Sequence, residues 1–176
     1  MKMIHGVFSA LVLATSSMLP GTAAAQTDDG WSICSNQVVV EALNFSVAPI
    51  KSEAELKAYL RDGGTKKAPL SYLSKGAQQR FLRSITFNET GVTGYRFDDI
   101  EAELTLSQAY AVLALIGDQH NIKFLENARL ETDLDHELYR IIKSPSPACS
   151  GDYKHYSCTR PANCDPRTGS ICKSNC

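Results

Sequence analysis

The amino-acid sequence predicts an α+β fold: a small single domain with a β-hairpin packed on helices, plus a disulfide-rich C-terminal extension. Three observations support this prediction. Several segments repeat apolar residues at helical spacing behind a capping residue. Residues 85–97 instead alternate apolar and polar residues on both sides of a turn sequence, which is typical of a hairpin. Five of the six cysteines lie between Cys149 and Cys176 at the C-terminus.

The first 25 residues have the pattern of a secretory signal peptide. Lys2 precedes an apolar run at residues 6–19, and the small residues 23–25 follow it as a cleavage region does. This run is shorter than the roughly 20 residues that span a bilayer, so we predict no transmembrane anchor. The mature chain is expected to begin near Gln26 and to be exported, as a periplasmic or secreted protein. The alanine-rich cleavage region is typical of a bacterial protein.

Composition divides the mature chain into two parts. We predict an α+β body at residues 26–144 and a cysteine-rich tail at residues 145–176. The boundary is placed there because Pro145 and Pro147 cannot continue a helix, and few aliphatic residues follow them. The formal net charge of −1 argues against nucleic-acid binding, which requires a basic surface that neutralises phosphates.

All six cysteines lie in the predicted mature chain, and an even count in an exported protein predicts three disulfide bonds. They are Cys34, Cys149, Cys158, Cys164, Cys172 and Cys176. Five tail cysteines cannot all pair with one another, so we expect Cys34 to bond to one of them. The remaining connectivity stays open. The cysteines form no C-x-x-C pair and the chain is expected to be exported, so we favour disulfides over a zinc site. We predict no cofactor.

The first half of the body predicts helices followed by the hairpin. Residues 31–49 suit either a strand or a helix, and the helical spacing of their apolar residues favours a helix. Ser52 and Glu55 form a capping box ahead of a short amphipathic helix, and a second helix is expected at residues 74–84. The hairpin follows, with its turn at residues 88–91 and a bulge or break at residues 98–99.

The second half of the body predicts two more helices. Thr105 and Gln108 form a second capping box, and the apolar run that follows predicts a buried helix that ends at Gly117. Thr132 is expected to cap a last helix, with acidic residues in its first turns and basic residues in its last.

The tail carries the residues that we predict to bind a partner. Tyrosine and arginine dominate binding hot spots, and a loop held rigid by disulfides loses little entropy on binding. The candidates are Tyr153, His155, Tyr156, Arg160 and Arg167. We therefore favour a non-enzymatic interaction protein, such as an inhibitor, an immunity-type protein or an envelope assembly factor. Its partner would be another exported or envelope protein. The alternative is a tail that only staples one face of the body.

Two other functions remain open. The first is a small secreted hydrolase that uses Asp118, His120, Asp133 and His136. The same residues with Asp135 could also hold a divalent metal, although capping aspartates and solvated histidines explain them as well. The second is a carbohydrate-binding module whose tail tyrosines stack on sugar rings.

An acidic run at residues 98–103 contains Asp98, Asp99, Glu101 and Glu103. Calcium or a basic partner could use these carboxylates, but the glycine and the spacing of a calcium-binding loop are missing. The sequence favours a simpler interpretation, in which the charges protect a solvated strand edge.

Overall fold

The computed structural model describes residues 29–144 and 151–176, with the side chains of residues 29–33 left aside. It has helices and a four-stranded antiparallel sheet, which confirms the α+β prediction. The predicted signal peptide, the prolines at 145 and 147, and Cys149 lie outside the described residues. Within the described part of the chain, no helix is long and apolar enough to cross a membrane.

The described residues contain six α-helices and four strands. The helices are α1 (Asp29–Val47), α2 (Glu53–Arg61), α3 (Lys75–Ser84), α4 (Asp98–Glu103), α5 (Leu106–Ala114) and α6 (Asp133–Lys143). The strands are β1 (Thr86–Asn88), β2 (Gly91–Arg96), β3 (Tyr153–Arg160) and β4 (Asn163–Cys172). Short 3₁₀ helices lie at Gly64–Lys66, Leu70–Tyr72 and Gln119–Phe124.

The predicted capping residues begin the helices as expected. Ser52 caps α2 by accepting a hydrogen bond from the Glu55 N–H, and the Glu55 carboxylate accepts the Lys51 N–H at 2.7 Å. Reciprocal capping boxes are complete at Thr105 for α5 and at Thr132 for α6. Each cap satisfies backbone N–H groups that have no partner inside the helix.

The hairpin forms where it was predicted, but the segment after it is helical. Strands β1 and β2 pair across a turn in which the Asn88 side chain accepts the Thr90 N–H. Residues 98–103, expected as a continued strand beyond a bulge, form α4 instead. A helix places Ile100 and Leu104 on one face, and both are fully buried. The acidic first turn of α4 also suits the positive end of the helix dipole.

The tail supplies half of the sheet. The strand order is β1-β2-β4-β3, and β4 pairs with β2 through Gly94 and Cys172, Tyr95 and Ile171, and Arg96 and Ser170. The Lys173 N–H donates to the Thr93 carbonyl and extends this pairing. Ile171 is fully buried within the core that the helices form. The two tail strands therefore contribute directly to the core of the body.

Strand β4 is strongly curved. Cys164 and Cys172 are eight residues apart, yet their Cα atoms lie 5.9 Å apart because the two residues form a disulfide. A straight strand of that length would span roughly 26 Å. A second disulfide joins Cys158 to Cys176. Cys34 is also disulfide-bonded. The expected bond from Cys34 to the tail remains a prediction.

Gly94 lies where the curled tail crosses β2. A Cβ atom at this position would be 2.6 Å from the Ile171 carbonyl oxygen and 3.7 Å from the Cys158 nitrogen. Backbone atoms of a paired strand cannot move aside as the end of a side chain can. A residue without a side chain is therefore required for β4 to pair closely with β2.

We predict that Gly94→Ala lowers the free energy of unfolding by about 1–3 kcal/mol, the usual range for overpacking a core. Urea unfolding followed by circular dichroism measures this change. Gly76→Ala is the matched control, because Gly76 lies in α3 and its nearest neighbour is the flexible end of Arg80. This control is expected to be neutral or to stabilise the protein by up to about 1 kcal/mol. Equal effects of the two substitutions would contradict the prediction.

Candidate functional site

The tail hairpin presents two neighbouring tyrosines to solvent. Tyr153 is 54 % exposed and Tyr156 is 37 % exposed. Their rings meet edge to face with centroids 6.0 Å apart. An irregularity in the β3–β4 pairing between Lys154 and Tyr156 brings the two rings together, since a regular strand would send residues 153 and 156 to opposite faces. The pair forms an exposed aromatic patch, which we call the tyrosine pair.

The other three predicted tail residues lie in different surroundings. His155 has a φ of 66°, and its Nδ1 accepts the Gly169 N–H, so this ring fastens β3 to β4. Arg160 lies at the end of β3 beside the tight turn to β4. Arg167 lines a separate cleft between the tail and α3. The five predicted residues therefore do not form one surface. Only Tyr153 and Tyr156 form the exposed pair.

A buried network of charged side chains joins the tail to the body. Asp118 and His120 follow α5, while Asp152 precedes β3 and Lys173 follows β4. The Lys173 ammonium group donates to Asp118, and its Nζ lies 3.3 Å from Asp152 Oδ2. Asp118 is 1 % exposed. We call these four side chains the buried ionic cluster.

Neutral groups satisfy the remaining oxygens of the buried ionic cluster. The Asn121 amide donates to Asp118 Oδ2 at 2.8 Å and to Asp152 Oδ2 at 2.7 Å. The Tyr95 hydroxyl of β2 also donates to Asp118, and the Ser174 N–H donates to Asp152 Oδ1 at 2.8 Å. Buried charges need such partners, since an unpaired ion inside a protein is strongly unfavourable.

These contacts shift the acidity of the cluster. Burial alone would raise the pKa of Asp152, but hydrogen bonds from His120 and Asn121 and the charge of Lys173 hold that pKa well below its usual range. Burial would lower the pKa of Lys173, and the two carboxylates instead raise it. The pKa of Tyr95 is raised well above 10 by burial first and by the Asp118 charge second. Asp152 and Lys173 are therefore both ionised at neutral pH.

His120 is oriented as a structural side chain. Its Nε2 lies 3.1 Å from Asp152 Oδ2, 3.6 Å from Asp118 Oδ1 and 3.9 Å from Glu41 Oε1. Its Nδ1 is buried without a hydrogen-bond partner among the described residues. The ring borders a pocket of about 290 Å³ beside α1. A general base needs a ring nitrogen within reach of substrate, and here one nitrogen faces carboxylates while the other is enclosed.

Asp118, His120 and Asp152 could also act as metal ligands by spacing alone. One ligand atom from each lies within 4.8 Å of the others. The Lys173 ammonium group already supplies a positive charge to both carboxylates, however, and a divalent cation would have to displace it. The other close group consists of Cys158, Cys172 and Cys176, whose sulfur atoms are held in disulfide bonds.

The remaining residues of the hydrolase hypothesis lie elsewhere. Asp133 and His136 are exposed at the start of α6 and belong to neither group of close ligand atoms in the described part of the chain. Asp135, between them, is fully buried and accepts hydrogen bonds from Ser107 at 2.7 Å and Thr132 at 2.8 Å. It holds the starts of α5 and α6 together.

The acidic run of α4 is occupied by contacts within the body. Asp98 and Asp99 pair with Arg96 and Arg80. Glu101 accepts the Asn127 N–H, and Glu103 accepts both the N–H and the hydroxyl of the α3 cap Ser74. These carboxylates therefore connect α4 to α3, to β2 and to the loop that contains Asn127.

The sequence-based hypotheses missed Tyr95, Asn121, Asp152 and Lys173, which complete the cluster. Asp152 and Lys173 lie 21 residues apart in the tail, and Tyr95 lies in a strand chosen for its alternation. Only the β2–β4 register brings these residues to one place. No strand was predicted in the tail, so no local signal connected Lys173 or Asp152 with Asp118.

We predict that Lys173→Met lowers the free energy of unfolding by about 3–5 kcal/mol, because it leaves two buried carboxylates without their counter-ion. Chemical unfolding at neutral pH measures the loss. The same substitution at Lys57 is the control, since Lys57 forms an exposed ion pair with Glu53 on α2. This control should change stability little. A Lys173→Met protein as stable as the control would show that the ammonium group is dispensable.

The depressed pKa of Asp152 predicts a pH dependence. Its ionised form stabilises the fold fully above the pKa of an unfolded aspartate, about 3.9, and this contribution is lost as pH falls through the lower folded pKa. Asp152→Asn removes the contribution at every pH. The stability difference between wild type and Asp152→Asn should therefore be largest near pH 7 and shrink below about pH 4. Unfolding curves between pH 2 and 7, with Asp62→Asn as an exposed control, measure it; a constant difference would contradict the prediction.

No protein-family model, curated protein or solved structure matches this chain. Its function is therefore inferred from the geometry of its own residues.

Proposed function

We propose that this protein is an exported interaction protein that binds another exported or envelope protein through its tail hairpin. The observation that carries the proposal is the tyrosine pair, two adjacent aromatic rings exposed on a disulfide-linked hairpin. Exposed aromatic side chains are enriched at the centres of protein interfaces, where they bury a large area with few rotatable bonds. Arg160, at the end of the same hairpin, would contribute at the border of the contact.

The covalent framework of the hairpin favours tight binding. Disulfides Cys158–Cys176 and Cys164–Cys172 restrain both strands and the C-terminus. A surface that is already ordered pays less conformational entropy when it binds a partner. The tail can therefore present Tyr153 and Tyr156 in one arrangement before contact.

Export is part of the proposal. Disulfide bonds are compatible with an extracellular, disulfide-stabilised protein, because such bonds persist in oxidising compartments. The pattern of the first 25 residues supports secretion, and its alanine-rich end supports a bacterial periplasmic or extracellular location.

The geometry favours binding over hydrolysis. Of the four residues in the hydrolase hypothesis, Asp118 and His120 take part in a network that also holds the tail in place. Asp133 and His136 lie exposed on α6. The buried ionic cluster therefore has a structural role that needs no reaction. The side chains of the exposed tyrosine pair form no hydrogen bond and no ring contact outside the pair among the described residues.

The test is capture of the partner by the immobilised mature protein from the envelope and secreted fractions of the producing organism. We expect one protein to be retained, and its dissociation constant, measured with purified protein, to rise at least about tenfold in Tyr153→Ala/Tyr156→Ala. Tyr72→Ala is the matched control, because Tyr72 is 46 % exposed but lies on the body. This control should bind as wild type does.

Two outcomes would overturn the proposal. One is that the double variant, shown by circular dichroism to be folded, retains the partner as strongly as the Tyr72→Ala control. The other is that no protein is retained while the mature chain binds insoluble polysaccharide through the same tyrosines.

A further inference from the structure

A second concave surface lies between the tail and helix α3, away from the tyrosine pair. It is a cleft of about 540 Å³, within the range of small-molecule sites. Arginines from α3, β2 and β4 line it, together with hydroxyl groups from both sheet halves. Its charged residues are Arg80, Arg83, Arg96 and Arg167, and its hydroxyl residues are Ser84, Thr86, Ser157, Thr159 and Ser170. No aspartate or glutamate is among its lining residues.

Two of the four arginines are paired with acidic side chains, and two are not. Arg80 binds Asp99 at 2.6 Å, and Arg96 binds Asp98. Arg83 and Arg167 form no side-chain hydrogen bond or ion pair within residues 29–144 and 151–176. The cleft therefore has two uncompensated positive charges, one from the body and one from the tail.

The pairing of β2 with β4 explains why the cleft is polar. Tyr95 and Ile171 pair with each other and point into the core, so the flanking pair of Arg96 and Ser170 points to the opposite face. Gly94, on the same face, has no side chain, and this lets the backbone of β4 approach β2 closely. The sheet thus provides the floor of the cleft, and α3 provides one wall.

Ser170 supplies an independent observation. It is 1 % exposed, it lines the cleft, and its hydroxyl oxygen has no hydrogen-bond partner within the described part of the chain. Leaving a buried hydroxyl unpaired is unfavourable, and buried polar side chains in folded proteins are normally hydrogen-bonded. A ligand that accepts a hydrogen bond from Ser170 would remove this deficit.

We propose that this cleft binds an oxyanion ligand with at least two negative charges, held by Arg83 and Arg167 and by a hydrogen bond from the Ser170 hydroxyl. Guanidinium groups match carboxylate and phosphate oxygens in a two-point geometry. Two uncompensated arginines on facing elements suit a ligand with two charged groups. This site is separate from the tyrosine pair, and it does not depend on the proposed binding of a protein.

A purely structural role explains Arg80 and Arg96 but not Arg83 and Arg167. Arg80 and Arg96 stabilise α4 through their aspartates, and they need no ligand for that role. Arg83 and Arg167 instead bring two unpaired positive charges to one cleft, and no acidic residue lines it. An anion would relieve the repulsion, and binding would weaken as salt screens these charges.

The experiment is calorimetric titration of the mature protein at low salt with two probes, pyrophosphate and citrate. The first represents phosphate-bearing ligands and the second represents multiple carboxylates. We expect at least one probe to bind with a stoichiometry of one, and its affinity to fall at least tenfold in Arg83→Gln and in Arg167→Gln. The stronger probe identifies the class of oxyanion.

Two further variants distinguish binding at this cleft from a general attraction of the protein for anions. Arg61→Gln is the matched control, because Arg61 lies outside the cleft, is exposed and has no ion pair within the described residues. It should bind as wild type does. Ser170→Ala should weaken binding several-fold without lowering the melting temperature of the ligand-free protein, since it removes an unpaired hydroxyl and leaves the charge unchanged.

The proposal is overturned if neither probe binds at millimolar concentration. It is also overturned if Arg61→Gln weakens binding as much as Arg83→Gln does, because the attraction would then reflect net charge alone. A Ser170→Ala protein that binds as wild type does, with unchanged stability, would remove Ser170 from the site.

Discussion

The Lys173 ammonium group, held between Asp118 and Asp152, is the interaction on which the union of the tail and the body depends. Lys173 directly follows β4, Asp152 directly precedes β3, and Asp118 ends the loop after α5. The Asp118 and Asp152 carboxylates are buried and the Lys173 side chain is mostly buried, so each charge would be unfavourable without the others. The two ends of the tail hairpin are thus fixed to the body at one point.

The same cluster selects the register of the sheet. A shift of β4 by one residue against β2 would turn Lys173 away from Asp118 and would move Ile171 out of the core. Both the apolar burial of Ile171 and the charge pairing of Lys173 therefore favour one alignment. The disulfides act differently, because they curl β4 on itself and restrain a segment with few aliphatic residues of its own. The hairpin owes its shape to covalent bonds and its position to buried contacts with the body.

Local chemistry made much of the fold predictable. Thr105 and Thr132 begin α5 and α6 because a capping hydrogen bond depends on residues only three apart. The hairpin turn depends in the same way on Asn88 and its near neighbours. Residues 98–103 were harder, because Ile100 and Leu104 satisfy strand alternation and helical spacing equally well. Their burial against the core on one face decides for the helix.

The candidate sites were less predictable because they depend on contacts between distant segments. The sequence identified Asp118 and His120 as chemically notable, but their partners Asp152 and Lys173 come from the tail, more than 30 and 50 residues away. Arg167 was among the predicted tail residues, but no local signal connected it with Arg83. They meet only because β4 joins the sheet beside α3. Disulfide counting correctly indicated a restrained tail, but it could not indicate that two tail strands complete the sheet.

Ser170 and Lys173 show that nearby tail residues can have different roles, one in the proposed oxyanion site and the other in stability. Ser170 pairs with Arg96 on the face that lines the cleft, whereas Lys173 reaches the buried ionic cluster. Ser170, with its unpaired hydroxyl, and Lys173, which helps to hold the tail on the body, therefore lie only three positions apart. Changes on the cleft face can alter binding without exposing a buried charge, while changes at the cluster must destabilise the whole sheet. The tail can thus vary the surface that it presents while Lys173, Asp152 and Ile171 keep it attached.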